Sequence, residues 1–424
     1  MERVLAIRIH RGTHEVGGTC IELAADGERI VLDAGMPMTP PRRCSDLLPD
    51  VPGLWAEGDG SLRGLFISHP HPDHYGLADL VDDDVPIFMG PRAQAVLRES
   101  SFFIPWAPAF PPALPLEHRV PVELGPFTVT PWRVDHGAED CFALLVEAAG
   151  SRVLYSGDWR GHGPHPETVE EIVANVGRLD TLLVEGTRIE IGGDDHHISP
   201  TEAAVEQACV ELIAAARRGV VAFASAQNFD RLDSLQRAAH AAGREFVLDL
   251  YAASLWIASG RPRDAIRVFA TRPQRRRIYE TEAFERTRAV RDLRIFPEEI
   301  AERPEELVLC LRTSAVHEIE DTGVLLDADV IWSMWEGYLQ GESMASTRQV
   351  LRRNGARVSF IHTSGHATAT DLEAFVRRVD AREVVPIHTR SPHICAGTFP
   401  GARLRTDGEW WDVAREPEGH ACTA

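Results

Sequence analysis

The sequence predicts an α/β protein with a second α/β domain inserted into the first. Three observations predict it. Short apolar, β-branched runs recur from Arg29 to Thr389, and each ends in an ionisable residue within a turn. Stretches with helical character separate them. A middle segment repeats the strand and helix rhythm but lacks the histidine-rich strand ends found elsewhere. A length of 424 residues fits two or three domains.

The opening residues read as a strand. Runs at 30–33, 65–69, 153–158, 182–185, 358–362 and 384–388 end in Asp33, His69, Asp158, Glu185, His362 and His388. Side chains at the carboxyl ends of strands are placed to build a site. The middle segment opens with an alanine-rich helix, expected from Ser199 as N-cap to Arg218. A strand over 220–224, a helix from Asp230 and a strand over 246–250 follow. The expected division is 1–198 for the first part of one domain, 199–345 for the inserted domain and 346–424 for the return. The expected boundaries fall in the polar segment 192–197 and the stretch 337–346.

Composition narrows the functional classes. Hydrophobic residues make up 44% and charged residues 25%, as in a soluble globular protein. No apolar run is long enough to span a bilayer, so no membrane role is expected. The first residues lack a signal peptide's apolar core, which places the chain in the cytoplasm. The seven cysteines show no CxxC and are expected to be buried thiols. A net charge of −20 argues against a protein that coats nucleic acid. A nuclease needs only a local positive site, which bound metal ions supply. Arginine carries all the fixed positive charge, there being no lysine.

The sharpest signal is His69, His71, Asp73 and His74 within six residues. Residues two apart in an extended segment point the same way, so His69 and His71 can grip one ion. A turn then lets Asp73 and His74 face a neighbouring ion. Imidazole and carboxylate are the usual zinc ligands.

This cluster resembles the HxHxDH signature of the metallo-β-lactamase superfamily, and the resemblance implies an αββα sandwich. It also implies three further ligands, His136, Asp158 as a bridge, and His388. On that pattern His69, His71, His136 and Asp158 hold one ion. Asp73, His74, Asp158 and His388 hold the other. Asp33 matches the family's early aspartate, which orients a ligand. Histidine at position 71 favours two zinc ions over redox iron, with manganese as the alternative.

The inserted domain and the motifs at 361–368 and 386–389 resemble the β-CASP nucleases of the ribonuclease J type. Glu185 fits the acidic motif of that group. Asn228 and Arg231 match its strand-to-helix turn, with Asp230 where histidine is more usual. Thr389 stands where glycine is usual. The chain leaves no room for that group's C-terminal dimerisation domain, so the oligomeric state stays open.

The function this resemblance implies is hydrolysis of RNA, single-stranded, by a two-metal mechanism leaving 5'-phosphate and 3'-hydroxyl ends. Histidine at position 388 favours RNA over DNA within the group. Asp73, Glu185 and His366 are the catalytic candidates. His366 would protonate the leaving oxygen, oriented and kept protonated by Glu185. Ser364, Gly365, Thr368, Asn228 and Arg231 are candidates for substrate phosphate, although Ser364 to Thr368 can equally serve as a helix N-cap. Arg272, Arg275, Arg276 and Arg277 form a basic cluster that could track an RNA backbone. The alternatives are a DNA nuclease, a small-ester or lactone metallohydrolase, and a non-catalytic RNA-binding protein.

Overall fold

The computed structural model describes residues 4–38, 47–104, 109–189 and 199–413. Two sheets face each other. The first has seven strands, in spatial order Trp410–Asp412, Ala6–Arg11, Cys20–Ala25, Glu28–Leu32, Leu62–Phe66, Ile87–Met89 and Leu114–Pro115. The second has six, in order Ala381–Ile387, Leu179–Glu185, Ser151–Tyr155, Phe142–Ala148, Phe127–Arg133 and Val122–Leu124. Alternation along each strand explains the layers. Ile30 and Leu32 meet Phe127, Leu144 and Val153 between the sheets. Val31, between them in sequence, points outward to Ala93 and Leu97 of the helix Pro91–Phe103. On the far side Leu154, Leu182 and Val184 pack on the helices Glu167–Asn175 and Ala369–Arg378. Strands buried on both faces read as continuous apolar runs, and the result is the αββα sandwich.

The inserted unit is built on a six-stranded parallel sheet. Its order is Arg267–Phe269, Glu245–Asp249, Leu307–Cys310, Val220–Phe223, Asp329–Trp332 and Arg357–Phe360. Parallel strands put all their carboxyl ends on one edge. The turns leaving that edge, at Ala224 to Asn228, Leu311 to Ser314 and Ser333 to Trp335, line one wall of a cleft.

The structure corrects three expectations. Thr201, not Ser199, caps the first inserted helix, its hydroxyl accepting from the Ala204 N–H at 3.1 Å. Ser199 instead accepts from Arg188. That helix spans Glu202–Ala215 and stops short of Arg218: Ala216 turns extended, and Arg244 takes up the carbonyls of Ala216 and Arg218. The strand Arg357–Phe360 pairs with Asp329–Trp332 and so belongs to the inserted sheet. The helix Ala345–Arg353 packs Val350 and Leu351 onto that same domain. The insertion therefore continues to about residue 360 and does not end at 345. An apolar run ending in a histidine has the same pattern in either sheet, and periodicity cannot say which sheet receives it.

The expected boundary at 192–197 lies outside the described residues. Cys20, Cys141, Cys209, Cys310 and Cys395 are buried, and Cys44 and Cys422 lie outside the described residues. No helix of the described residues is long and apolar enough to cross a membrane.

Candidate metal centre

The carboxyl ends of the sandwich strands converge on one pocket. Leu62–Phe66 leads into Ser68 and His69. The chain turns at His71, which precedes the short helix Pro72–Tyr75, and that helix carries Asp73 and His74. Ser151–Tyr155 ends in the turn that presents Asp158, where Gly157 adopts φ +55°. A side chain at Gly157 would collide with the Phe142 carbonyl, so glycine is required there. Ala381–Ile387 delivers His388, itself at φ +49°, and Glu28–Leu32 delivers Asp33 at φ +61°. Left-handed backbone at non-glycine residues is strained, and both residues sit at this pocket.

The seven residues singled out as ligands come together. His69, His71 and His136 form one group whose nitrogens lie within 4.8 Å of one another, and Asp73, His74, Asp158 and His388 form a second. Asp158 Oδ2 is 3.8 Å from His69 Nε2, 3.9 Å from His136 Nε2 and 3.2 Å from His74 Nε2. Its other oxygen is 3.6 Å from His388 Nδ1. Asp158 thus stands between the two groups.

The outer nitrogens of four of these imidazoles, His69, His74, His136 and His388, are already occupied. His74 Nδ1 donates to Asp33 Oδ2 at 2.7 Å, and the same carboxylate accepts from the Ser68 N–H and hydroxyl and from Tyr155 OH. Ser68 Oγ lies 3.0 Å from His69 Nδ1. His136 Nδ1 donates to the Gly365 carbonyl, and Thr187 Oγ1 meets His388 Nδ1 at 2.9 Å. Anchoring one ring nitrogen fixes the tautomer and aims the other inward. His69 Nε2 and His74 Nε2 are buried without a hydrogen-bond partner. Buried donors and acceptors are normally paired, so these inward-facing nitrogens fit the role of cation ligands.

The electrostatics agree. Burial pushes His69 and His136 well below an ordinary histidine and His71 down to about 4, which keeps them neutral, the form that ligates. Burial opposes charge on His74 too, but Asp158, Asp73 and Asp33 outweigh it and raise that imidazole well above its usual value. The acidic half of the pocket therefore draws positive charge.

Beside the ligands stands His366, its Nδ1 3.1 Å from Glu185 Oε2. Glu185 is fully buried, and its other oxygen accepts from the Trp159 N–H at 3.0 Å. Burial works against a charged His366, yet Glu185 and Asp158 raise it to about 9. His366, Gly365, Ser364 and His71 face the inserted domain across a cleft of about 760 Å³.

The phosphate candidates separate. Ser364, Gly365 and Asn228 line the cleft. Thr368 caps the helix Ala369–Arg378 through a reciprocal pair of bonds with Asp371, the N-cap role. Arg231 is fully buried, so the expectation that it meets substrate phosphate is corrected. Its guanidinium is taken by both oxygens of Glu202, by Ser333 and by His362. Asp230 accepts from buried Arg160 at 2.5 Å, and Arg160 also holds Asp135 at 2.7 Å. These bonds join the inserted domain to the sandwich. The arginines of the basic cluster make surface pairs, with Arg272 and Arg276 still largely exposed. Arg272 pairs with Asp321, Arg275 with Glu318 and Arg276 with Glu280, while Arg277 donates to the Phe102 carbonyl. Ser68, Tyr155, Thr187 and His162, which bonds the Ser364 carbonyl at 3.0 Å, carry no motif that marks them in the sequence.

Comparison with known proteins gives a consistent setting. Residues 28–221 match the family described as beta-lactamase superfamily domain. Residues 352–394 match that described as Zn-dependent metallo-hydrolase RNA specificity domain. Ribonuclease J of Sinorhizobium meliloti is 30% identical over 52% of this chain and 39% of its own length. Ribonuclease J of Mycoplasma pneumoniae is 23% identical over 89% of this chain and 66% of its own. That of Mycobacterium tuberculosis is 23% identical over 89% and 67%. The chain thus spans from about two fifths to two thirds of these relatives' lengths. A crystal structure of a protein of unknown function from Enterococcus faecalis V583 superposes with a TM-score of 0.78 at 20% identity, covering 96% of this chain and all of that one.

Proposed function

Because this chain is a ribonuclease J-like protein of the β-CASP branch of the metallo-β-lactamase superfamily, we propose that it hydrolyses RNA phosphodiester bonds, leaving 5'-phosphate and 3'-hydroxyl ends. One observation carries this reading. The Glu185–His366 pair stands at the edge of the seven-residue metal pocket and faces the cleft.

His69, His71, His136 and Asp158 would hold one divalent ion. Asp73, His74, Asp158 and His388 would hold a second. Zinc suits this donor set, with manganese the alternative. When bound, the ions supply the charge that activates a water and neutralises the phosphate.

The chain's own residues then do four things. His366, held by Glu185 through Nδ1, presents Nε2 to the cleft and gives its proton to the departing 3'-oxygen. Asp73 presents an ionised carboxylate and orients the attacking water, its carboxyl held low by His74 and His388 against the effect of burial. Gly365 fixes His136 through its carbonyl, and its bare Cα lies against that imidazole, where a Cβ would come within 3.3 Å of the ring. Ser364 and Asn228 offer hydrogen bonds to phosphates beside the scissile one.

The test is incubation of the metal-loaded protein with RNA and DNA of matched sequence bearing 5'-monophosphate, 5'-triphosphate or 5'-hydroxyl ends. RNA ladders with 5'-phosphate products are expected. Intact RNA alongside hydrolysis of a simple ester or lactone would overturn the reading, and cleavage of DNA alone would reassign the polymer.

A further inference from the structure

The wall of the cleft contributed by the inserted domain is unlike the metal wall. Trp335 follows the strand Asp329–Trp332, and 64% of its surface is exposed. Tyr338, 55% exposed, meets it edge to face with ring centroids 5.4 Å apart. Both rings line the same cavity as His366. Two exposed aromatic rings in contact within a cleft form an apolar patch of the kind that marks a ligand groove.

Trp335 is also held in place. Its ring lies across the Cα of Gly337, where any Cβ would come within 2.3 Å of it. Its carbonyl accepts from Trp332 Nε1 at 3.3 Å. In the same lining, Arg312 is the one arginine among the described residues. Arg312 Nε bonds Asp249 Oδ2 at 3.3 Å, and its guanidinium lies 4.5 Å over the Tyr251 ring. No described residue hydrogen-bonds its two terminal nitrogens. A pre-oriented indole face and a braced guanidinium in one groove are the two elements that bind a single strand, one for a base and one for the backbone.

We propose that this wall is a nucleotide subsite, where Trp335 stacks on an unpaired base of the RNA and Arg312 meets a backbone phosphate of the same strand. The inference rests on the RNA-cleaving reading above and adds where the strand is gripped away from the scissile bond. The grip requires an unstacked base, so duplex RNA should be excluded from it. Stacking on any π-face is tolerant of sequence, so the subsite sets strandedness and register, not base identity.

The experiment uses the full chain with the inactivating substitution His366→Ala and a fluorescent single-stranded RNA, read by anisotropy. Adding Trp335→Ala should weaken binding about tenfold, and Trp335→Phe should restore most of it. Gly337→Ala, which displaces the ring without removing it, should also weaken binding. An RNA series with one abasic site moved along the strand should show one position where Trp335→Ala has no further effect. In the active enzyme the loss should fall on KM more than on kcat. Equal binding by the parent and Trp335→Ala proteins, or an abasic series with no such position, overturns the subsite and leaves the cleavage reading standing. Failure of the parent protein to bind or cleave any RNA overturns both.

Discussion

Two of the buried polar clusters among the described residues differ in whether their bonding capacity is filled. At the domain junction, Arg160 bonds Asp135, Glu202 and Asp230, and Arg231 bonds Glu202, Ser333 and His362. Every guanidinium nitrogen there has a protein partner. In the metal pocket the outer nitrogens of His69, His74, His136 and His388 are tied down, while His69 Nε2 and His74 Nε2 point inward without a hydrogen-bond partner. Both clusters are rich in charge and close to fully buried. Burial and charge alone therefore do not mark a site. A saturated cluster is a fastening, and an unsaturated one aimed at a common point expects a ligand.

The largest effect should come from the residue that joins both metal groups. Asp158→Ala should lose bound metal, measured by elemental analysis, together with all RNA cleavage. Retention of two ions and activity would break the comparison at its base. His366→Ala should keep the metal and lower kcat by about 10² to 10⁴-fold, the usual worth of a positioned acid. The sign of the pH effect follows from its protonated role. His366 is raised to about 9, so its proton is in place below that pH and lost above it, and the rate should fall as pH rises through about 9. Glu185→Gln should move that fall toward the pH of an ordinary histidine. An unchanged alkaline limb in Glu185→Gln would remove His366 from the acid's role.

The saturated cluster should respond in stability instead. Glu202→Ala strips a carboxylate from both Arg160 and Arg231 and leaves two buried cations short of a partner. A loss of about 3–5 kcal/mol in urea unfolding is expected, because breaking a buried pair costs more than the pair contributes. Metal content of the folded fraction should not change. A protein of parental stability that has lost its metal would show that the junction is wired into the metal pocket, against the division drawn here.

The unequal legibility of the two clusters has a physical cause. His69, His71, Asp73 and His74 are local, so spacing alone suggests a shared ion. The sandwich strands are legible because burial on both faces writes continuous apolar runs. Arg231 was misread because a motif match gives a position but not the direction of the side chain. That direction depends on Glu202, 29 residues earlier, and on Ser333, 102 residues later. Tyr155 and Thr187 were invisible for the same reason, since Tyr155 reaches Asp33 across 122 residues and Thr187 reaches His388 across 201. The run ending in His362 was placed in the wrong domain because sheet membership is a tertiary fact that its own pattern does not encode.

The smallest effect tests how the unsaturated pocket keeps its open nitrogens aimed. Asp33 Oδ2 accepts from His74 Nδ1, Tyr155 OH and Ser68 Oγ, while Oδ1 accepts from the Ser68 N–H. Asp33→Asn preserves the shape and tolerates the φ of +61° as aspartate does, so backbone strain is not the variable. It replaces one acceptor with a donor in a ring of donors, so the amide nitrogen opposes either the Ser68 N–H or, if turned the other way, His74 Nδ1, and the ring that aims His74 is broken on one side. Metal affinity measured by chelator competition should fall about 10 to 100-fold, with the fold intact. Tyr155→Phe removes one donor and leaves His74 and Ser68 bound to Asp33, so its effect should be smaller. If Tyr155→Phe costs as much as Asp33→Asn, the tyrosine acts on His74 directly, from its hydroxyl 3.2 Å from Nδ1, and the aim of the pocket does not run through the carboxylate.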